Sequence, residues 1–353
     1  MQPRRRVAVL GATGAVGQAF IRLLANHPWF ELAEVAASER SAGKPYAEAA
    51  RWIGNDAIPN GVANLTVLPC DPARVSADVV FSALDSSAAQ DAEPAFARAG
   101  KIVLTNAKNY RMEPDVPLVI AEVNPSQLDL VAEQRRRRGW SGAIVANGNC
   151  ASIVAALPLA PIHERFGITK LILMTMQAVS GAGYPGVPSL DILGNVIPFI
   201  KDEEPKIEQE IQKFLGRVDG TRIIDAAFPV SAHANRVAVE HGHTMCMSIE
   251  LRDKASAEDV QAAIAEWCGA PEARGLPTAP AHPVIVANAA DAPQPRRHVD
   301  AGNGMTVVVG RVRPDPIFDV KLVAMGHNVV RGAAGASVLN AELMARRGML
   351  AAS

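Results

Sequence analysis

Residues Val7–Gly17 read Val-Ala-Val-Leu-Gly-Ala-Thr-Gly-Ala-Val-Gly, and this stretch decides the fold. Val7–Leu10 is an apolar run without polar alternation, the pattern of a strand buried on both faces. Beyond the glycines, Val16, Phe20, Leu23 and Leu24 recur at helical spacing. Between them Gly11, Gly14 and Gly17 form GxxGxxG, a variant of the dinucleotide-binding fingerprint. Glycine lets the backbone turn tightly and approach a pyrophosphate, and the helix start offers free N–H groups and the positive end of its dipole. Gly11, Thr13, Gly14, Ala15, Val16 and Gly17 are therefore the expected pyrophosphate loop; the alternative is a glycine-rich turn without a ligand. Arg4-Arg5-Arg6 ahead of the run superficially resembles a signal peptide, but Gly11, Thr13 and Gly14 interrupt the apolar segment after four residues, so a buried strand is expected instead.

Further strands are expected at Glu31–Ala37, Asp78–Leu84, Lys101–Thr105, Leu118–Val123 and Ala143–Ala146, with turn residues between them. This rhythm predicts an α/β fold with a Rossmann-type, doubly wound parallel sheet. After the second strand comes Ser38-Glu39-Arg40-Ser41. Ser38, Arg40 and Ser41 suit a 2′-phosphate and favour NADP(H), whereas Glu39 would serve NAD, and a plain polar turn is the third reading.

Around residue 147 the character changes. A helix is expected after Cys150, kinked or shortened by Pro158. Lys170–Ala178, Thr244–Leu251 and Met305–Arg313 read as strands, Lys201–Leu215 as an amphipathic helix, and Ser256–Trp267 as a helix capped by Ser256 and Asp259. Residues 270–295 are rich in Pro and Ala and are expected to be irregular. A last helix near Ala333–Ala345 is expected to return to the first domain. The expected division is a cofactor domain over 1–147, completed by about 326–353, and a second, α+β domain over 148–325, to which the resemblance given below adds a catalytic and oligomerisation role.

The 353 residues suggest roughly two domains, and 49% hydrophobic against 20% charged residues excludes wholesale disorder. A net charge of −1 gives no global pull toward nucleic acid or anionic membrane. The basic cluster Arg135–Arg138 reads as a solvated helix end. No apolar stretch reaches the roughly 18 residues of a membrane span. Four scattered cysteines, Cys70, Cys150, Cys246 and Cys268, form no CxxC pair, so neither a disulfide framework nor a cysteine-rich zinc site is expected, and a cytoplasmic protein is. His241 and His243 would share one face of a strand, but no third ligand stands near them in sequence, and no metal is expected.

Asn147-Gly-Asn-Cys150 places a cysteine at an expected helix start, where the dipole favours the reactive thiolate. A lone cysteine is more often a core residue; its company reverses that reading. GATGAVG at Gly11–Gly17, NAKNYRM at Asn106–Met112, GNC at Gly148–Cys150, MQAVSGAGYPGVPSLDILGNVIPFI at Met176–Ile200, EEPKIEQE at Glu203–Glu210, RVAVEHGHT at Arg236–Thr244 and GHNVVRGAAGASVLNAEL at Gly326–Leu343 together resemble the aspartate-semialdehyde dehydrogenases, most closely their archaeal and fungal branch.

The resemblance covers nearly the whole chain. It implies Cys150 as nucleophile, His243 as acid/base and Gln177 as the group orienting the acyl intermediate. It implies Arg236 as clamp for the substrate α-carboxylate, Glu203 as holder of its amino group, and Lys206 with Arg111 as the phosphate pair. Ser82 and Asn328 join the cofactor contacts, Asn328 near the nicotinamide. The implied reaction is NADPH-dependent reduction of L-aspartyl 4-phosphate to L-aspartate 4-semialdehyde, serving lysine, threonine, methionine and isoleucine synthesis, in a homodimer or homotetramer. Departures from the family pattern include Ala151 for serine, Gly148 for proline, Ala121 for proline and Ala238 for proline. An acyl-CoA reductase of the same lineage, such as a malonyl-CoA reductase, has less use for Glu203. N-acetyl-glutamyl-phosphate reductase, whose substrate amine is blocked, is disfavoured by the same glutamate. A non-catalytic NADP-binding sensor predicts erosion of the thiol, base or clamps, and all are present.

Overall fold

The computed structural model describes residues 4–54 and 56–350; residues 1–3 and 351–353, the outer ends of the expected cofactor domain, lie outside the described residues. Six parallel strands form the first sheet: β1 (Arg5–Leu10), β2 (Phe30–Ala37), β3 (Val67–Pro69), β4 (Val79–Ser82), β5 (Ile102–Thr105) and β6 (Ala143–Ala146). Their order, β3-β2-β1-β4-β5-β6, reverses direction at β1, so the crevice at the carboxyl ends of β1 and β4 is the switch point where such sheets bind ligands. Numbering only helices of nine residues or more, α1 (Ala15–Leu24), α2 (Ser86–Arg98) and α3 (Leu130–Arg138) belong to this half.

α4 (Cys150–Phe166) then runs between the two sheets. The second sheet comprises β7 (Ile168–Gln177), β10 (Val230–Arg236), β11 (His243–Leu251), β12 (Val284–Ala287), β13 (Val307–Pro314) and β14 (Val320–Gly326), in the mixed order β10-β7-β11-β14-β13-β12. A hairpin of β8 (Arg217–Asp219) and β9 (Arg222–Ile224) stands apart. The remaining long helices are α5 (Glu203–Phe214), α6 (Ala257–Glu266) and α7 (Gly335–Arg346).

Strand alternation divides the core in two. Ala8, Leu10, Val80, Val103 and Ile144 face one way and join α4 and the inner face of the second sheet through Leu173, Met247 and Leu322. Val7, Val9, Phe81, Leu104 and Val145 face the other way and meet Phe20 and Ile21 of α1 and Val338 and Leu339 of α7. Side chains of neighbouring residues on a strand point to opposite faces, so a continuous apolar run serves both layers.

Several expectations are corrected. Pro158 does not shorten α4: the helix runs 17 residues with Pro158 and Pro161 inside it. Every residue from Ala151 to Ile162 is buried, and that packing outweighs the roughly 3 kcal/mol an internal proline costs. Leu118–Val123 is not a strand. Leu118 makes one isolated bridge to Ala146; beyond it the Asn124 carboxamide accepts from Ile120 N–H at 2.8 Å and donates to the Leu118 carbonyl at 3.0 Å, replacing a strand partner. Within 270–295, Val284–Ala287 pairs in parallel with β13. The capping box at Ser256 and Asp259 is present as expected.

The segment after Leu118 is tied to the turn before α7. Glu122 accepts from both Arg331 Nη atoms, at 2.7 and 2.8 Å, with both side chains buried. Removing one partner of such a pair strands the other charge, at about 3–5 kcal/mol. Glu122→Ala is therefore expected to lower unfolding free energy by that amount in a urea titration. A loss under about 1 kcal/mol, the range of an exposed pair, would contradict this account.

Candidate active site

Cys150, the expected nucleophile, is the first residue of α4. Asn149 caps that helix: its Oδ1 accepts from Ala151 N at 2.9 Å and Ser152 N at 3.2 Å. Cys150 remains partly accessible, and its Sγ lies 3.1 Å from His243 Nε2. His243 is the first residue of β11, fully buried, and its Nδ1 accepts the Ala178 backbone N–H at 3.1 Å. The ring proton therefore resides on Nε2, facing the sulfur. Burial, then Arg236 and His327, drive the imidazole down to about 3, so it is neutral throughout the physiological range. Burial and the nearby Glu203 push the Cys150 thiol up to about 12, against the opposing pull of Arg111, the Ala151 N–H and Arg236. The resting pair is thus a neutral thiol beside a neutral imidazole.

The parallel pairing of β10 with β7 puts Arg236 beside Gln177. Arg236 donates from Nη1 to the Ala178 carbonyl at 2.7 Å. Glu203, buried at the start of α5, accepts from Asn149 Nδ2 at 2.9 Å and Gln177 Nε2 at 3.0 Å. Lys206 Nζ is 3.6 Å from the other Glu203 oxygen. Arg111 donates to Glu210 Oε1 at 2.9 Å and to the Asn106 carbonyl at 2.7 Å; its buried Nε has no partner among the described residues. Cys150, His243, Gln177, Arg236, Glu203, Lys206 and Arg111 thus form one linked cluster drawn from both halves of the chain.

On the cofactor side, Gly11 has φ 71°, and a Cβ there would stand 2.6 Å from the Ala83 carbonyl oxygen; one on Gly17 would stand 2.3 Å from that of Gly11. These two positions accept only glycine. α1 starts at Ala15 with no side-chain cap, so the first-turn N–H groups, including those of Ala15, Val16 and Gly17, face the crevice unclaimed by the helix. Thr13 is part of the same turn, and its carbonyl accepts from Gln18 Nε2 at 3.0 Å. Ser38, Arg40 and Ser41 lie in the turn after β2, with Ser38 and Arg40 exposed and Arg40 in no ion pair among the described residues. Asn328 accepts from Gly242 N and donates to Ser180 Oγ, both at 2.9 Å. Ser180 in turn meets His241 Nδ1 at 2.9 Å. A cleft lined by Ala15, Ser180, Tyr184, His241 and Val329 runs between the pyrophosphate loop and these residues. Ser82, at the end of β4, is fully buried and its hydroxyl donates to Glu93 at 2.6 Å.

Residues 6–131 match the family described as semialdehyde dehydrogenase, NAD binding domain, and residues 159–331 the semialdehyde dehydrogenase dimerisation domain. The aspartate-semialdehyde dehydrogenase of Archaeoglobus fulgidus is 50% identical over 97% of this chain and 98% of its own. The chain belongs to the aspartate-semialdehyde dehydrogenase family. The Schizosaccharomyces pombe aspartate-semialdehyde dehydrogenase is 44% identical over 98% of this chain and 99% of its own. The structure of the Candida albicans aspartate semialdehyde dehydrogenase with NADP superposes with a TM-score of 0.90, at 40% identity, covering 98% of this chain and 100% of that one.

Sequence reasoning missed four members of this family site: Asn149 as the cap that also binds Glu203, Glu210 as the partner of Arg111, and the Ser180–His241 pair that supports Asn328. All four fall inside segments that carried the resemblance, so position marked them while nothing in their own spacing gave a role.

Proposed function

We propose that this chain catalyses the NADPH-dependent reductive dephosphorylation of L-aspartyl 4-phosphate to L-aspartate 4-semialdehyde and phosphate, a step of lysine, threonine, methionine and isoleucine biosynthesis. The observation that carries the proposal is the Cys150–His243 contact at a capped helix start, ringed by two arginines, a lysine and a buried glutamate.

Arg236 receives the substrate α-carboxylate, Glu203 its ammonium group, and Lys206 with Arg111 the phosphate. A guanidinium fork matches two carboxylate oxygens, and paired cations neutralise a phosphate dianion. Cys150 Sγ then bonds to the acyl carbon and the acyl–oxygen bond breaks. The thiol proton leaves with the phosphate dianion, so no standing thiolate is required of a group held near 12. Gln177 holds the acyl oxygen of the resulting thioester. NADPH, when bound, supplies the hydride that reduces this thioester. His243 Nε2–H hydrogen-bonds to the oxyanion formed at the acyl carbon; as the carbon–sulfur bond breaks and aldehyde is released, the departing thiolate takes up a proton from solvent, which restores the thiol and leaves the imidazole neutral.

The pyrophosphate of NADP(H) fits the uncapped α1 terminus and the loop Gly11, Thr13, Gly14, Ala15, Val16 and Gly17. Ser38, Arg40 and Ser41 take the 2′-phosphate, and the unpaired Arg40 favours NADP over NAD. Asn328 borders the nicotinamide. The cofactor domain spans 1–147 with 326–353, as the docking of α7 on α1 and β5 supports, and 148–325 is catalytic. The outward face of the second sheet leaves Ile172 and Met174 exposed at 41% and 43%, and Leu190, Leu193, Val196 and Phe199 are more exposed still. Such a patch suits burial in a homodimer, or a tetramer built from it. Among the described residues no helix is long and apolar enough to cross a membrane; four unpaired cysteines fit a reducing, cytoplasmic setting.

The test is a reverse-direction assay with L-aspartate 4-semialdehyde and phosphate, NADP and NAD in parallel. Phosphate-dependent reduction, faster with NADP, is expected. No reaction with either cofactor, together with reduction of malonyl-CoA by NADPH, would replace this reading with the acyl-CoA reductase.

A further inference from the structure

α5 carries more than the substrate contacts at its start. Glu203, Lys206, Glu210 and Lys213 recur every three or four residues, so they lie along one face of the helix. The first two belong to the cluster above. The last two reach across to the first half of the chain. Glu210 is buried, and its two oxygens serve two masters: Oε1 accepts from Arg111 Nη1 at 2.9 Å, and Oε2 accepts from the Asn149 backbone N–H at 2.5 Å. One turn on, Lys213 Nζ donates to the carbonyls of Arg111, Glu113 and Val116 at 2.6, 2.9 and 3.0 Å.

We infer that Glu210 is a positioning residue that sets the Arg111 guanidinium and the start of the nucleophile helix in register with each other. Its two contacts are different in kind. One is an ion pair and fixes a side chain from the first half of the chain. The other accepts the N–H of the capping residue that directly precedes Cys150. A single carboxylate therefore fixes the spacing between the phosphate-binding arginine and the attacking sulfur. The approach is close enough to dictate a neighbour. A Cβ on residue 148 would lie 2.3 Å from the Phe214 ring and 3.2 Å from Glu210 Oε2, so glycine there admits α5 to its seat. The inference rests on the reading of Arg111 as a phosphate ligand.

Glu210→Gln preserves volume but replaces one acceptor by an NH2 group, which must face either Arg111 or the Asn149 N–H, donor against donor. If the carboxylate only fills space, Gln substitutes for it. If it positions both groups, KM for phosphate in the reverse reaction rises about tenfold, the worth of one charge-assisted hydrogen bond, while KM for NADP is unchanged. Glu210→Asp keeps the charge with one methylene fewer and is expected between parent and Gln variant. Arg111→Met alone, and combined with Glu210→Gln, completes a double-mutant cycle in which Glu210→Gln has no further effect on phosphate KM. Phosphate KM unchanged or lowered in Glu210→Gln, Asp no better than Gln, or full additivity in the cycle overturns the positioning role. Arg111→Met with the parent's phosphate KM overturns instead the assignment of Arg111 beneath it.

Discussion

Cys150→Ser is expected to reduce turnover at least about 10³-fold while leaving NADP binding intact. The substitution is nearly isosteric, so the Asn149 cap and the Glu203 contacts that surround position 150 should persist. Two chemical differences carry the loss. A serine hydroxyl is far less acidic than a thiol and meets the same burial and the same Glu203 charge that already raise the cysteine. An oxygen ester is also a poorer acceptor of hydride than a thioester, and an alkoxide a poorer leaving group than a thiolate, so both halves of the reaction suffer. The proposed cofactor loop offers its uncapped backbone N–H groups at the start of α1, and no hydrogen bond joins position 150 to them. Steady-state rates in the reverse direction and NADP binding followed by fluorescence measure the two quantities separately. Turnover within tenfold of the parent would sink the covalent mechanism. Lost NADP binding would show that the substitution disturbs the fold rather than the chemistry.

The parts of this structure that were legible in the sequence are those whose information is local. The run Val7–Leu10 and its glycine turn are contiguous, and their reading needs only strand sterics and the reach of a helix terminus. The capping box at Ser256 is likewise written within four residues. What was missed depends on partners far away in the chain. β10, Val230–Arg236, buries only Ala232, Ala234 and Arg236; two small residues and a charge make a weak strand signal, yet this strand delivers Arg236 beside Gln177. Glu210 reads as one more charge on a hydrophilic helix until Arg111, 99 positions earlier, is found against it. Leu118–Val123 failed for a local reason instead: it looks like a core strand because it is apolar and buried, but the side chains of nearby Asn124 and Gln127 take up its backbone groups. Pro158 shows the opposite failure. Its local signal is strong and is overruled by a helix buried on every side. The proposed catalytic set rests on resemblance, because its members come from separate strand ends and helix starts that no spacing rule connects.

His243→Asn is expected to lower kcat by about 10²–10⁴-fold with a modest change in KM, as for a group that acts on the proton in the transition state. The structure adds a constraint on its pH dependence. Since the ring is held down to about 3, it loses no proton between pH 5 and 8, and the Cys150 thiol, up near 12, does not lose one there either. For each group the charge is the same on both sides of neutrality, so neither produces a limb in the free-enzyme profile in that interval. kcat/KM is therefore expected to follow the ionisation of the substrate phosphate rather than a histidine near 6.5, and that limb should survive in His243→Asn at a reduced level. The reason lies in the Ala178 N–H, which occupies Nδ1 and leaves Nε2 as the ring's only working atom. An imidazole bound this way donates to sulfur and oxyanion without first becoming cationic, and its protonation in the resting enzyme would break the Ala178 bond. A profile whose limb near pH 6.5 is present in the parent and vanishes in His243→Asn would overturn the neutral-donor assignment, while leaving His243 in the reaction as a conventional base.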